Sequence, residues 1–167
     1  DCIDCNFTFA AIDENSYKLV SYIGNGSDVI IPVEYNGLPI TKIESNCFKG
    51  NTTITSVVIP EGITSMGNAV FYGCSSLESV TIPSTLTSTG NATFYGCENL
   101  KNVTFGVGVT TIGNSAFRGC SALETIVIPK SVTDIGTSVF NSCSGLKYVF
   151  YTGSEAEWIK IKISSDN

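Results

Sequence analysis

The sequence contains no histidine, and it has only one methionine and one tryptophan among 167 residues. Charged residues make up 14% of the chain, with nine basic and fifteen acidic side chains and a net charge of −6. Nucleic acids and anionic membrane surfaces both bind to basic patches, so we expect neither as a partner. No apolar run approaches the ~18 residues of a membrane span, and direct membrane insertion is therefore not expected.

The absence of histidine also narrows the possible chemistry. A hydrolase needs a nucleophile beside a base, a pair of carboxylates or a bound metal ion. The acidic residues are scattered and no glycine-rich phosphate loop occurs. Glu78 and Glu124 occupy equivalent positions two units apart, with Lys101 at the position between them. This spacing predicts that the two carboxylates do not form a catalytic pair that shares a proton. We therefore expect no enzymatic activity and no cofactor.

A repeat of 23 residues dominates the sequence. Cysteines recur at this step, at Cys74, Cys97, Cys120 and Cys143. Phenylalanines recur at the same step, at Phe48, Phe71, Phe94, Phe117 and Phe140. Five consecutive units therefore occupy residues 40–154 without insertion, and they predict equivalent turns stacked around one continuous core.

Each unit predicts two local structures. In "LESVTIP", Val80 and Ile82 alternate with polar residues, which is typical of a short strand with one buried face. At the start of a unit, an asparagine such as Asn91 stands where its side chain would cap a one-turn helix. Gly96 follows five residues later, where a left-handed residue would end that helix.

We predict a single domain over residues 1–167 with a cap at each end. Residues 1–39 are predicted to form a hairpin cap, with its turn at Asp13 to Ser16, and a partial repeat "DVIIP". Residues 155–167 are predicted to form the carboxy-terminal cap, in which "EWIKIKI" alternates so that one face covers the last unit and the lysines discourage edge pairing. The alternative for these lysines is a basic docking strip.

The unit ending "LxxVxIP" resembles the LxxLxL core of leucine-rich repeats, and "IGNSAFRGCSALETIVIP" resembles the BspA-type subfamily of bacterial and protist surface proteins. The sequence departs from that pattern at Cys47, at Thr89 and in "FGVG" (105–108). The resemblance implies a leucine-rich repeat solenoid, a β-rich, right-handed β-α superhelix with parallel short strands on its concave side and one-turn helices on its convex side. It also implies secretion or cell-surface display and adhesion to, or recognition of, a host protein or glycan.

The register of the cysteines predicts their role. A zinc site needs ligands that converge tetrahedrally, whereas a ladder holds one thiol in each turn. Neighbouring turns about 4.8 Å apart also exceed the Cβ separation of a disulfide. We therefore predict that the four ladder cysteines are reduced and buried as small apolar side chains. A disulfide between two of Cys2, Cys5 and Cys47 is left open.

The outward side of the strands is the candidate ligand-binding surface. Because strand side chains alternate between two faces, the positions between the buried ones point outward. These positions, here called the outer strip, are Ser56, Val58, Ser79, Thr81, Asn102, Thr104, Thr125, Val127, Tyr148 and Phe150. None is charged, and we expect a monomer that binds an extracellular protein or glycan there. The alternatives are that these are simply good strand residues, or that the chain is a structural spacer within a larger surface protein.

Overall fold

The computed structural model describes residues 6–167 and shows a β-solenoid of about six turns with almost no helix. The strands at its amino-terminal end are β1 (Phe7–Ala11), β2 (Tyr17–Tyr22), β3 (Asp28–Ile30), β4 (Glu34–Tyr35) and β5 (Leu38–Ile43). The repeats add β6 (Ser56–Val58), β7 (Ser65–Met66), β8 (Ser79–Ile82), β9 (Asn102–Phe105), β10 (Thr111–Ile112), β11 (Thr125–Ile128), β12 (Asp134–Ile135) and β13 (Tyr148–Tyr151). The chain then forms α1 (Glu155–Trp158) and β14 (Lys162–Ile163).

Each turn of the solenoid has three sides. Strands β3, β6, β8, β9, β11 and β13 form the strand face, and all of their pairings are parallel. The six-residue strand β5 and the two-residue strands β7, β10, β12 and β14 form a second ladder, with a single bridge from Ser88 to Thr111 standing between β7 and β10. Residues 68–73 and their equivalents form the third side, here called the turn side.

The turn side corrects the predicted one-turn helices. Ala92, directly after Asn91, has a positive φ of 52°, so a helical turn cannot begin there. Alternate backbone N–H groups instead donate to the next turn, as from Phe71 to Thr93 (2.9 Å), while others, such as Tyr72 to Ala69 (3.2 Å), donate within their own turn. In the described residues, α1 is the one α-helix, so the predicted β-α superhelix with one-turn helices on its convex side is not confirmed. The predicted left-handed glycine is confirmed, with φ of 71° at Gly96.

The predicted asparagine caps act between turns rather than within one. The Asn68 Oδ1 atom accepts a hydrogen bond from the Asn91 N–H (2.9 Å), and Asn91 Oδ1 accepts one from the Asn114 N–H (2.9 Å). The ladder continues to Thr137, whose N–H donates to Asn114 (2.9 Å). Each side chain thus supplies an acceptor to the turn that follows it, which fixes the 23-residue register.

A column of stacked phenylalanines fills the core. Phe71, Phe94 and Phe117 are fully buried, with ring centroids 5.4 and 5.2 Å apart. Tyr22 extends the column at its amino-terminal end, 5.3 Å from Phe48. Burying a large apolar side chain contributes roughly 1.5–3 kcal/mol, so such columns supply most of the stability of the fold.

Thr89, which departs from the repeat pattern, is one of two neighbouring buried threonines. Thr93 donates its hydroxyl to the Thr89 carbonyl (2.6 Å), and the Gly113 N–H donates to Thr89 Oγ1 (3.0 Å). Both threonines are fully buried. Since each hydroxyl has a partner, the polar substitution in this column avoids the desolvation penalty of an unpaired group.

The amino-terminal end is closed by a hairpin. β1 and β2 pair antiparallel, and their turn lies at Asp13 as predicted, where Asn15 N–H and the Ser16 hydroxyl donate to the Asp13 carboxylate (2.8 and 3.0 Å). These hydrogen bonds hold the pKa of Asp13 below its ordinary value. β2 then pairs in parallel with β5, which buries Leu19 completely. The Asn36-Gly37 turn between β4 and β5 is also formed, with φ of 52° and 75°.

The carboxy-terminal tail differs from the predicted alternating strand. A capping box between Ser154 and Glu157 begins α1, and the helix turns Trp158 against Tyr151 with ring centroids 5.3 Å apart. Ile159, which alternation would place on the covered face, is exposed. Only the last part of the tail forms a strand, in which Lys162 pairs with Asp134 on the second ladder.

Candidate binding surface

The structure places the outer strip on the solvent side of the strand face, as the period of two predicts. Eight of its ten residues are exposed, and Ser56 and Ser79 are half-buried. The intervening residues, such as Val80 and Ile126, are buried. Ser79 pairs with Asn102 and Thr81 with Thr104, so hydroxyl and amide groups recur once in each turn.

The amino-terminal continuation of the outer strip was not predicted. Asp28 and Ile30 of β3 pair with Ser56 and Val58, so they extend the same two columns by one turn. The Ser56 hydroxyl donates to the Asp28 carboxylate, and Ile30 is highly exposed. The incomplete repeat "DVIIP" contained the signal for this extension.

The strand face is interrupted in the middle of the outer strip, which the strict period did not predict. β9 and β11 are not paired, so the strands form one sheet of four and another of two. A shallow opening of about 410 Å³ lies at the gap, lined by Lys101, Asn102, Ala122, Glu124 and Thr125. Asn102 and Thr125, both predicted binding residues, therefore face each other across a cleft rather than a continuous ladder.

The departure "FGVG" begins at the end of β9, the strand that borders this cleft. Phe105 stands where three of the other four repeats have isoleucine, and its larger ring lies edge-on against Phe117 of the next turn, 5.9 Å between centroids. On the other side, a Cβ atom on Gly106 would lie 2.4 Å from the Pro83 backbone, so only glycine allows this close approach. The residues at the end of β9 thus pack differently towards the following turn and towards the preceding one.

The carboxy-terminal end of the outer strip is aromatic. Tyr148 and Phe150 are 58% and 55% exposed, and their rings stack with centroids 6.1 Å apart. Val149 lies between them in the inward column, yet it is 46% exposed, since among the described residues no strand pairs with the outer edge of β13. The predicted inward position of Val149 is thus only partly buried, in contrast to Val80 at 2%.

Charges in register flank the outer strip. Lys101 pairs with Glu78 (3.3 Å) and Lys147 with Glu124 (3.2 Å), as the alternation of charge predicts. These four side chains are more than half exposed, so each pair contributes only about 0.2–1 kcal/mol. They leave the strip between them neutral.

The cysteine ladder is buried and unpaired, as predicted. Each thiol donates to a phenylalanine carbonyl of the preceding turn, for example Cys97 to Phe71 (3.2 Å). Burial raises the pKa of Cys74 to about 11 and that of Cys47 to about 12. Cys47 is likewise buried and free, whereas Cys2 and Cys5 lie outside the described residues. Within residues 6–167, no three cysteine, aspartate or glutamate side chains gather as a metal site.

A second surface column lies on the turn side. Tyr72 and Tyr95 stack with centroids 4.7 Å apart, Lys49 lies over Tyr72, and Arg118 lies over Tyr95. Each ring therefore has one face against the other ring and one against a cation. This arrangement stabilises neighbouring turns through cation–π contacts and leaves no free aromatic face for a ligand.

The stacked 23-residue turns, the parallel strand face and the buried columns define a leucine-rich repeat solenoid. Residues 38–161 match the BspA-type leucine-rich repeat region in six copies, and the chain belongs to this family. None of the curated proteins matches the sequence.

Solved bacterial structures share the fold. The chain is 31% identical to a leucine rich cell surface protein of Faecalibacterium prausnitzii, with a TM-score of 0.86 over 96% of this chain and 41% of that one. A T. pallidum leucine-rich repeat protein is 27% identical, with a TM-score of 0.82 over 87% of this chain and 68% of that one. A leucine-rich repeat protein of Bacteroides ovatus is 30% identical, with a TM-score of 0.79 over 87% and 39%. The chain thus spans about two fifths of the length of two of these proteins.

In the part of the chain that the structure describes, no helix is both long and apolar enough to cross a membrane.

Proposed function

We propose that the protein is a secreted or cell-surface binding module that adheres to an extracellular protein or glycan through the outer strip. The observation that carries this proposal is the neutrality of the strip. None of its ten residues is charged, although Asp28 stands one turn before it, the chain has a net charge of −6 and ion pairs flank the strip on adjacent turns. A neutral, exposed surface of this kind lowers the desolvation cost of binding.

The chemistry of the outer strip suits an extended ligand. Hydroxyl and amide groups recur at each turn, about 4.8 Å apart along the stack, and can bond to a peptide backbone or to sugar hydroxyls. Tyr148 and Phe150 provide exposed aromatic rings at one end, and aromatic residues are favoured anchors at interface cores. The cleft between Asn102 and Thr125 offers a recess near the middle.

Surface display is supported by similarity, since the Faecalibacterium prausnitzii relative is described as a cell surface protein. We propose that this chain acts in the same location, as a monomer and without enzymatic activity. The right-handed superhelix implied by the family resemblance would place the outer strip on the concave side.

One observation favours a second candidate function. Within residues 6–167, β13 has a strand neighbour on one side, and a structural spacer in a longer surface array would stack a further repeat on such an edge. Such a spacer would have no ligand of its own, and its outer strip would tolerate charge.

The experiment compares two exposed threonines on different sides. Wild type is first screened for retention by immobilised extracellular-matrix proteins and glycans. The variant Thr104→Glu with Tyr148→Ala changes the outer strip, and Thr87→Glu, beside the second ladder, is the matched control. We expect at least a tenfold loss of affinity for the strip variant, about 1.4 kcal/mol, and less than a twofold change for the control. Equal affinity in a folded strip variant would contradict the proposal, and no retention of wild type by any probe would favour the spacer.

A further inference from the structure

The backbone ladder of the strand face is broken at one place inside the solenoid. In neighbouring turns, the residue before each strand donates its N–H to the equivalent carbonyl one turn earlier: Glu78 to Thr55 (2.8 Å), Lys101 to Glu78 (2.9 Å) and Lys147 to Glu124 (2.9 Å). Within residues 6–167, the same bond is not formed from Glu124 to Lys101. A donor on one turn and an acceptor on the preceding turn therefore face each other without bonding.

The first residue of β11 repeats this pattern. Asn102 and Tyr148 donate their N–H groups to the preceding turn (3.1 and 3.2 Å), whereas Thr125, at the equivalent position, makes no such bond in the part of the chain that the structure describes. Backbone polar groups without a protein partner must bond to water or to a ligand. The N–H groups of Glu124 and Thr125 are thus donors that a ligand in the cleft can use.

The gap between the two strands is too narrow for a peptide strand. Cα atoms of β9 and β11 lie within 8 Å of each other. Paired strands are about 4.8 Å apart, so a strand inserted between these two would hold them roughly 9.6 Å apart. The gap instead suits one small group, which must accept from an N–H and donate to the Lys101 carbonyl. A hydroxyl does both, whereas a carboxylate only accepts and an ammonium group only donates.

An exposed aromatic surface adjoins the cleft. Tyr148 pairs with Thr125, so its ring lies one turn from the cleft. The ring is 58% exposed and stacks beside Phe150. Side chains stand roughly perpendicular to a sheet, so a strand beside β13 would not cover these two outward rings. The negative face of an aromatic ring attracts the C–H groups of a sugar ring, which carry partial positive charge.

We propose that the cleft and Tyr148 bind a neutral glycan chain, an inference that rests on the function proposed above and commits it to one class of ligand. One sugar ring packs on Tyr148. A hydroxyl of the neighbouring ring enters the cleft, where it accepts from the Thr125 N–H and donates to the Lys101 carbonyl. Other hydroxyls of that ring bond to the exposed side chains of Asn102 and Thr125 on either side of the cleft.

The charges around the cleft favour a neutral ligand. Lys101 and Glu124 both line the cleft, but each is already paired, with Glu78 (3.3 Å) and with Lys147 (3.2 Å). An anionic glycan would also approach a chain with a net charge of −6. We therefore expect uncharged sugars to bind more tightly than uronic acids of the same length.

The first measurement tests the break in the ladder in the free protein. Hydrogen exchange followed by NMR compares the Glu124 amide with the Lys101 amide, which makes the bond that Glu124 lacks. We expect the Glu124 amide to exchange about tenfold faster or more, because it has no backbone partner. Equal protection of the two amides would show a continuous ladder and would overturn the proposal.

The second measurement is an NMR titration of the isotope-labelled chain with maltohexaose, cellohexaose and mannohexaose. The charged control of the same length is hexagalacturonic acid. We expect saturable shifts of the Glu124 and Thr125 amide resonances with at least one neutral sugar, and binding of the charged control that is weaker by about tenfold. The proposal is overturned if none of the three neutral sugars shifts these amides saturably, or if the charged sugar binds more tightly.

Matched variants then test the contacts. Thr125→Val keeps the shape of the side chain and removes its hydroxyl, and Thr81→Val makes the same change at an exposed threonine of the paired strand β8. We expect about a fivefold loss of affinity for Thr125→Val, from one lost hydrogen bond, and little change for Thr81→Val. Tyr148→Ala should weaken binding by about tenfold, whereas Tyr148→Phe keeps the ring and should bind like wild type. Equal losses for the two valine variants would overturn the proposal.

These measurements also separate the inference from the proposed function. A serine- and threonine-rich peptide that shifts the Glu124 and Thr125 amides, with no shift from the three neutral sugars, would assign the cleft to a protein ligand and overturn the glycan site. In that case, a matrix protein that retains wild type but not the Thr104→Glu, Tyr148→Ala variant would still support binding through the outer strip.

Discussion

The two ends of this solenoid are closed to different degrees. At the amino-terminal end, β2 pairs with β5 and brings Leu19 into the core with no exposed surface. At the carboxy-terminal end, α1 and β14 cover the second ladder but not the strand face, and Val149 stays 46% exposed. Within one column of the repeats, Val80 is 2% exposed and Val149 is 46% exposed, so equivalent positions differ in burial. The difference shows that burial in a repeat protein depends on neighbouring turns more than on the residue type.

The largest effect is expected where the phenylalanine column is fully enclosed. Phe94→Ala removes a ring stacked between Phe71 and Phe117, and it should cost about 3–5 kcal/mol of unfolding free energy. Phe140→Ala, in the last complete turn, should cost less than half as much because that ring is already partly exposed. Urea denaturation of both variants gives the comparison. Equal losses at the two positions would show that the open end is packed as tightly as the centre.

A truncation in the amino-terminal cap should destabilise the protein more than one in the carboxy-terminal cap. Leu19→Ala at the closed end should cost about 2–4 kcal/mol, as expected for a buried leucine. Trp158→Ala at the other end removes a larger but half-buried side chain, which packs mainly on Tyr151. We expect a smaller loss for it, of about 1–2 kcal/mol. Thermal denaturation followed by circular dichroism measures both, and a greater loss for Trp158→Ala would mean that the tail is the stronger cap.

Much of this fold could be predicted from the sequence because the repeat was strict. Phe94 and Cys97 recur every 23 residues, and equivalent positions in a stack occupy equivalent environments. The helical turn was wrong because Asn91 and Gly96 fit a capped helix as well as they fit hydrogen bonds between turns. Only the positive φ of Ala92, which the sequence does not signal, decides between them.

The candidate surface was less predictable than the core. Alternation along each strand was enough to place Thr104 and Tyr148 outside. The cleft beside Asn102 lies where Phe105 and Gly106 depart from the repeat and pack differently against the two neighbouring turns. A prediction from the repeat gives every turn the same structure, so it misses such a local difference. The uncovered edge of β13 depends on where the tail runs, which a capping box and a tryptophan determine through tertiary contacts.

The buried thiols predict a loss of stability at alkaline pH. The pKa of Cys74 is raised to about 11 and that of Cys47 to about 12, so the unfolded chain, near 9, loses these protons first as pH rises. The stability of the protonated thiols is complete below pH 9 and is lost towards pH 11–12, by up to about 1.4 kcal/mol per pH unit for each group.

Chemical denaturation at pH 8, 9 and 10 measures this loss. The control is Cys74→Ala, which should reduce the slope of unfolding free energy against pH.

Alkylation of native protein compares the accessibility of thiols in the middle of the solenoid and near its carboxy-terminal end. Cys143, in the last complete turn, should react before the fully buried Cys97. Simultaneous labelling of all thiols would instead indicate global unfolding as the route of access.

The smallest effect concerns the ion pairs at the two ends. Glu44 lies between Lys18 and Lys42 (3.0 and 3.1 Å). Its side chain is 29% exposed, whereas the side chain of Glu124, beside Lys147, is 67% exposed. Hydrogen bonds from Lys18 and then Lys42 lower the pKa of Glu44, so its contribution is present above its ordinary pKa and is lost as pH falls. Because partial exposure screens both sites, we expect Glu44→Gln to cost about 0.5–1 kcal/mol at pH 7 and Glu124→Gln less than about 0.5 kcal/mol. Urea denaturation at pH 7 and pH 3, in low and high salt, measures both; a Glu44→Gln loss that persists at pH 3 would show that packing of the side chain, rather than its charge, stabilises the closed end.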